Sequence, residues 1–408
     1  MDSRRVVVTG VGVISALGLN TEEFRKNLFA GKSGIDRITS VDVSEMKFQK
    51  AGEVRGFNEE EHFSKNELIL LDRFTQFMMV AAREAVADAQ MEWNDETERE
   101  RTAIITGTGA GGQGNLDKFY TDLFCEKKTR FPPIIVPRAM SNAPASQISM
   151  EYGIYGPTYT ITTACSSSNH AIGHAFHAVR SGMVDRAITG GSETPIAFGN
   201  LKTWESMRVV SPDNCRPFSK NRSGMVLGEG GAVLILETLE SAQKRGAEIY
   251  CEIAGFGMSA DAHHITQPSP EGAARAMRGA LKDAELEPEK IGYINAHGTA
   301  TLANDVMETQ AIRKTFGEHA DKIAVSSTKS MHGHTLGAAG AIEAVATVLA
   351  LKHGTLPPTA NFTEPDPECD LDVIKNEARD EQVEAALSNS FAFGGLNATL
   401  VFKRFSDG

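Results

Sequence analysis

Cysteine is scarce in this chain, and the five present, at positions 125, 165, 215, 251 and 369, are odd in number and scattered. None forms a CxxC pair, so neither a zinc site nor a redox disulfide is indicated, and a reducing compartment fits. Proline is sparse as well, 15 in 408 residues against 38 glycines, and no low-complexity linker divides the chain, so its parts are expected to pack as one body. Long apolar runs are missing. The longest, Ala338 to Leu351, has 14 residues and contains Glu343, short of the ~18 to 20 that a membrane span needs. The opening residues, Met1 to Arg5 and then Val6 to Val8, lack the apolar stretch and cleavage site of a signal peptide, which points to the cytoplasm. Lys+Arg 41 against Asp+Glu 53 leaves a net charge of −12. That field repels nucleic-acid phosphates and anionic membrane, and an acidic partner would need a local basic patch.

What is present is the composition of an ordinary folded protein, 41% hydrophobic and 23% charged. The length implies two or three domains or one large α/β unit. Short β-branched runs recur at Arg5–Gly10, Thr102–Gly107, Arg186–Gly191, Gly231–Leu236, Glu252–Gly257, Ile291–Gly298, Ile323–Ser327 and Ala385–Ser390, and they read as buried strands. Helical patterns lie between several of them; Phe74, Phe77, Met78, Ala81, Ala85 and Ala89 recur at three- and four-residue spacing. Alternating strands and helices imply an α/β sheet covered on both faces. The two halves echo each other: Val86-Ala-Asp-Ala89 precedes the strand to Gly107, and Leu281-Lys-Asp-Ala284 precedes the strand to Gly298. Cys165 and His334 each stand before an Ala-rich helix, Asn169–Ser181 and Gly337–His353. A duplicated unit of this kind would place one active site between its copies.

Cys165 sits in Thr162-Thr-Ala-Cys-Ser-Ser-Ser168, a strand end leading straight into a helix. A thiol at a helix N-terminus meets unsatisfied N–H groups that favour thiolate. Taken alone, a lone cysteine is more often a buried structural residue. Two histidine motifs change that balance: His297 in Asn295-Ala-His-Gly-Thr-Ala-Thr301, and His334 in Ser326-Ser-Thr-Lys-Ser-Met-His-Gly-His334, with Lys329 five residues earlier. Both lie at strand ends beside glycine, so a Cys-His-His constellation is expected. Asn389-Ser-Phe-Ala-Phe-Gly-Gly395 adds a strand and a glycine-hinged loop able to gate a pocket. His170, His174 and His177 would share a helix face, but no carboxylate or cysteine ligand motif accompanies them, so packing behind Cys165 is preferred to metal binding. His332 has no assigned partner and is expected to be solvated.

Together these segments resemble the β-ketoacyl-acyl carrier protein synthases of the elongating type, synthase I and II and closest to II, in the thiolase-fold superfamily. The resemblance runs from Val6-Val-Val-Thr-Gly10 to Leu400-Val-Phe402 and includes Arg216-Pro-Phe218, Gly224 and Gly228-Glu-Gly230. It implies an α/β thiolase-like fold of two duplicated halves, 1–250 with the nucleophile and 251–408 with the histidines, layered αβαβα. By the same resemblance Cys165 carries the acyl chain, and His297 and His334 stabilise the enolate formed as malonyl thioester loses CO2. Lys329, Asp305, Glu308 and Glu343 support them. The N–H groups of Cys165 and Phe393 form the oxyanion hole, and Phe393 gates beside Phe391. Thr299, Thr301, Ala110 and Ile135 are implied as substrate-binding. No metal or organic cofactor is implied. The partners are acyl- and malonyl-loaded carrier protein and a second copy of the chain, with a heterodimer as the other possibility.

Several positions depart from the family pattern: Leu302 stands for Pro, Ala392 for Gly and Leu396 for Thr, and Ala392 is expected to restrict the gate. Lys127, Lys128, Arg130 and Arg208 are candidates for carrier docking, while the stretch Lys65 to Leu71 lacks the family's basic residues. Thr106–Gly112 is glycine-rich but lacks the Lys-Ser/Thr of a phosphate loop. In the family this loop lines the acyl pocket, where Ala110 leaves room for longer chains. A biosynthetic thiolase would need a second cysteine in the C-terminal loop, and the priming synthase uses Cys-His-Asn. Two alternatives remain: a specialised ketosynthase of a polyketide, polyene or unusual-lipid pathway, and a non-catalytic chain-length-setting subunit, though such subunits lack the nucleophile.

Overall fold

The β-branched runs condense into a single sheet. The computed structural model describes residues 4–406, in which eleven strands pair continuously: β1 (Val6–Ser15), β2 (Thr102–Gly107), β3 (Thr158–Ile161), β4 (Arg186–Glu193), β5 (Gly230–Thr238), β6 (Cys251–Ala260), β7 (Ile291–Asn295), β8 (Ala324–Ser326), β9 (Asp372–Val373), β10 (Ala385–Ala392) and β11 (Leu396–Arg404). One half runs β1-β5-β4-β2-β3 and the other β6-β11-β10-β7-β8, with β9 added at the edge. The order first-fifth-fourth-second-third thus occurs twice. In both copies the fifth strand is antiparallel to its neighbours and the remaining pairings are parallel. The copies join where Val6–Val8 pair antiparallel with Cys251–Ile253.

All eight runs anticipated from the sequence are strands. β3, whose end alone was read before Cys165, β9, of two residues, and β11 were not among those runs.

Helices make up the other layers. α1 (Arg73–Asp88) packs on β1 and β5, and its partner by position, α3 (Pro270–Asp283), packs on β6 and β11 beside α4 (Leu302–Phe316). α2 (Ser167–Arg180) and α5 (Ala339–His353) lie between the two halves and touch strands of both. The layering is therefore αβαβα. Thirteen of the fifteen residues of α5 are buried, as expected for a helix that is apolar all round and enclosed by protein. The stretch Leu336–His353 is apolar enough to span a membrane by composition, yet 89% of it is buried inside the protein.

The two central helices approach closely through Gly340. A Cβ there would stand 2.5 Å from Asn169 Oδ1 and 3.0 Å from the Asn169 backbone nitrogen. Nearby, the Ala341 N–H donates to Ser168 Oγ at 2.9 Å, which ties the start of α5 to the start of α2. Gly340→Ala should therefore destabilise the protein by ~1 to 3 kcal/mol through overpacking, outweighing the ~1 kcal/mol helical preference of Ala over Gly. Urea unfolding checks this, and unchanged or increased stability would contradict the packing argument.

Candidate active site

The pieces of the site come from corresponding places in the two halves. After β3 the chain turns through Ala164, a non-glycine residue at φ 51°, a costly conformation that the surroundings must hold. The Ser167 hydroxyl donates to Ala164 O at 2.6 Å, the Ser166 hydroxyl to Thr163 O at 2.8 Å, and the Thr163 N–H to Ser167 Oγ at 2.9 Å. The turn brings Cys165 to the pocket at 7% exposure. α2 begins only at Ser167, after Ser166 as its cap.

The expected thiolate is not what this setting favours. Burial pushes the Cys165 thiol up to about 12; the charge of Lys329 opposes this, as do the N–H groups of Phe393 and of Cys165 itself, while Glu193 adds to the rise. Desolvation outweighs the helix terminus, so the resting group is a thiol.

After β7, the His297 and Gly298 N–H groups each donate to Glu308 of α4 at 2.8 Å, which fixes the turn that presents the His297 ring. Burial raises Glu308 to about 7 against these donors. Asp305, one turn earlier on α4, accepts from Phe218 N at 2.7 Å and from Ala300 N at 3.2 Å, holding Ala300 at φ 64°. Leu302 occupies the first position of α4, the place where proline suits a helix, so the departure there leaves the backbone helical.

After β8, His334 is fixed by its N–H donating to Val226 O at 2.6 Å, and its Nδ1 accepts from the Leu336 N–H at 3.2 Å. With Nδ1 occupied as an acceptor, the ring proton sits on Nε2. The His297 and His334 rings meet edge to face at 5.5 Å. Lys329 Nζ lies 3.4 Å from His297 Nδ1 and pairs with Glu343 of α5. An ammonium at Nδ1 can only donate, so His297 also carries its proton on Nε2. Burial, then the Lys329 charge, then a neighbouring histidine, His334 for His297 and His332 for His334, hold both well below the usual histidine range. Both rings are neutral donors at pH 7. Lys329 and Glu343 are fully enclosed, and burial raises Glu343 to about 7 although the Lys329 charge pulls it down.

One pocket is thus lined by Cys165, His297, His334, Thr299, Thr301 and Phe393, with Phe391 beside them. Two expected residues are elsewhere. Ala110 is exposed, and Ile135 lies in a separate groove beside Asp72. Among the candidate docking residues, Lys128 is taken up by Asp122 and Glu126, while Lys127, Arg130 and Arg208 are exposed.

His332 is not solvated: it is fully buried, with Nδ1 donating to Gly333 O at 2.8 Å and Nε2 accepting from the Thr328 hydroxyl at 3.0 Å. Burial lowers it to about 3. Ala392 does not constrain a glycine conformation, because it ends β10 in extended backbone; Gly394 at φ 82° and Gly395 at φ 69° make the turn. Leu396 packs in the apolar cluster that contains Cys165 and Ala392. His170 bonds Thr163 and Ser166 behind the nucleophile, His174 packs edge-on to Phe256, and His177 meets Asp283. No metal-binding group is formed among the described residues.

Sequence reasoning missed Glu193 and Trp204. Glu193 is fully buried at the end of β4 and accepts from Thr108, Gly109, Ala110 and Gly337, joining the glycine-rich loop to the segment after His334. A carboxylate closing a strand that ends in Gly190-Gly-Ser192 was the available signal.

Removing Lys329 leaves Glu343 enclosed without its cation and Cys165 without the opposing charge. Lys329→Ala should cost ~3 to 5 kcal/mol in urea unfolding, and the double variant Lys329→Met, Glu343→Leu should recover most of it. Iodoacetamide alkylation of Cys165 should stay slower than wild type in both. Wild-type alkylation in the double variant would contradict the role given to the Lys329 charge.

Comparison with known proteins agrees over the whole length. Residues 3–242 match the family described as "Beta-ketoacyl synthase, N-terminal domain", and residues 250–363 match "Beta-ketoacyl synthase, C-terminal domain". The chain is 44% identical over 410 residues to 3-oxoacyl-[acyl-carrier-protein] synthase 2 of Staphylococcus aureus strain N315, covering 99% of each. It is 45% identical over 401 residues to Nodulation protein E of Rhizobium sp. strain N33, covering 98% of this chain and 99% of that one. The ishigamide ketosynthase/chain length factor superposes with a TM-score of 0.94 at 37% identity, covering 99% of this chain and 100% of the other. A shared fold, a shared family on both halves and this identity lead to one conclusion: the chain belongs to the beta-ketoacyl synthase family.

Proposed function

We propose that the protein catalyses the decarboxylative Claisen condensation of an acyl thioester, held on Cys165, with malonyl-acyl carrier protein to give 3-oxoacyl-acyl carrier protein, as in fatty acid elongation. The observation that carries this is the pair of neutral, Nε2-protonated histidines facing the same pocket as the only cysteine there. In the first half-reaction Cys165 Sγ bonds to the acyl carbonyl carbon, and the carrier's thiol leaves with the proton that Cys165 gives up. The N–H groups of Cys165 and Phe393 stabilise the oxyanion. In the second, the malonyl C–C bond breaks, CO2 leaves, and the electron pair moves onto the thioester carbonyl, whose oxygen is held by the Nε2–H groups of His297 and His334. The enolate carbon then attacks the acyl carbonyl, and Cys165 leaves as thiolate to be reprotonated. This sequence balances without a metal or organic cofactor.

Lys329 supports the reaction by keeping both rings neutral, Glu308 and Asp305 by holding the His297 turn, and Glu343 by enclosing the Lys329 charge. Thr299 and Thr301, whose hydroxyls meet at 2.9 Å on the pocket wall, are assigned to the carrier's pantetheine arm. Phe393 is assigned as the gate. We divide the chain into halves 1–250 and 251–408, a reading supported by the repeated strand order.

The partners we infer are acyl carrier protein and a second copy of this chain. Lys127, Arg130 and Arg208 are free to meet an acidic carrier. β3 is an open edge strand with exposed Tyr159, and Tyr155 just before it is exposed too, an edge that suits another strand edge. The cysteines among the described residues are all free, which suits the cytoplasm. A second reading, a ketosynthase of a polyketide, polyene or unusual-lipid pathway, rests on the small size of Ala110, which is exposed and outside the pocket of the single chain. In that reading the pocket floor is completed by Ile135 of a second copy.

Mass spectrometry after incubation with acyl carriers should find an acyl adduct on wild type and none on Cys165→Ser. His297→Ala or His334→Ala should each slow CO2 release from malonyl carrier by about 10² to 10³ while Cys165 still acylates. Wild-type CO2 release in both histidine variants would overturn the assignment. Longer adducts on wild type than on Ala110→Ile favour the specialised reading, and identical profiles count against it.

A further inference from the structure

Phe393 does not stand alone over the pocket. Its ring stacks on Trp204 with centroids 6.3 Å apart and planes 23° from parallel, within the range of offset aromatic pairs. The two partners differ in how they are held. Trp204 lies on the helix Phe198–Met207, which is anchored by the fully buried Leu201, by Gly199 N donating to Asp117 at 3.2 Å and by Lys47 N donating to Glu205 at 2.6 Å. Phe393 precedes two left-handed glycines, Gly394 and Gly395, in a loop whose ties are backbone ones, Gly394 N–H to Ile265 O at 2.7 Å and Asp261 N–H to Gly395 O at 2.9 Å. One ring stands on a helix and the other on a glycine turn. In this arrangement Cys165 is 7% exposed, which suits the closed state of a gate.

We propose that Trp204 is a positioning residue that latches the gate: its stack with Phe393 stabilises the closed loop, and this sets the fraction of molecules open to an incoming acyl chain. The inference rests on the reading of Phe393 as the gate over Cys165. While the closed state predominates, the rate of Cys165 acylation is proportional to the open fraction. An aromatic pair of this kind shifts such an equilibrium by about two- to tenfold.

The sequence contains two tryptophans, and the other, Trp93, lies away from the pocket, with its indole N–H donating to Thr102 at 2.9 Å. The experiment measures acylation of Cys165 by decanoyl-acyl carrier protein, followed by intact mass, in the full-length protein. Trp204→Ala should raise the rate constant about two- to tenfold, Trp204→Phe should stay near wild type, and adding Trp204→Ala to Phe393→Ala should change nothing further. In the Trp93→Phe protein, complete acylation should shift the Trp204 emission to longer wavelength as the stack opens. If Phe393→Ala speeds acylation and Trp204→Ala does not, the latch is overturned and the gate stands. If neither does, the gate reading falls and the latch with it. Should Trp204→Ala not fold, the emission decides: an unchanged spectrum on fully acylated Trp93→Phe protein overturns the latch.

Discussion

The site is organised around one buried ion pair. Lys329 and Glu343 are both fully enclosed, and their attraction has to repay the desolvation of two charges. The ammonium is the fixed charge on which the other groups depend. It opposes the rise in the Cys165 thiol, helps keep His297 and His334 neutral, and dictates which nitrogen of His297 carries the proton. A cation held close to a histidine by its own counter-ion cannot drift to solvent, so the histidines remain donors rather than acids.

The duplicated fold explains why such a charge can be held there. Cys165 follows the third strand of one half, and His334 follows the third strand of the other. The helices after them, α2 and α5, are the central layer, enclosed by sheet on both sides. Glu343 lies on α5, and Ala341 N bonds Ser168 at the start of α2. The helix that carries Glu343 is thus enclosed, and Lys329, on the fully buried short helix Lys329–His332, reaches it there. Glu193 adds a second tie between the halves, with one carboxylate accepting from the glycine-rich loop and from Gly337.

Eight of the strands, and the cysteine and two histidines that meet in one pocket, were legible in the sequence: those strands announce themselves by β-branched residues, His297 and His334 stand beside glycine, and Cys165 stands at a strand end that leads into a helix. What was not legible depended on tertiary surroundings. The helix terminus at Cys165 suggested thiolate, but burial, visible only in the fold, acts against the charge. His332 looked solvated because no partner was assigned to it; its partners are Thr328, one helical turn back, and the Gly333 carbonyl beside it, and the fold encloses all three. Ala392 looked like a hinge residue by position, yet it closes a strand. Trp204 carried no motif, since its partner is 189 positions away in the sequence.

The central claim is that both histidines stay neutral and Nε2-protonated, held neutral first by burial and then by the Lys329 charge, with Nδ1 of His297 facing Lys329 and Nδ1 of His334 taken by the Leu336 N–H. Nitrogen-15 NMR of histidine-labelled protein, assigned with His297→Ala and His334→Ala, tests it across pH 5 to 9. The account predicts that neither ring gains a second proton in that range and that the N–H signal of each belongs to Nε2. A midpoint between pH 6 and 7 for either ring, or a proton on Nδ1, would contradict it.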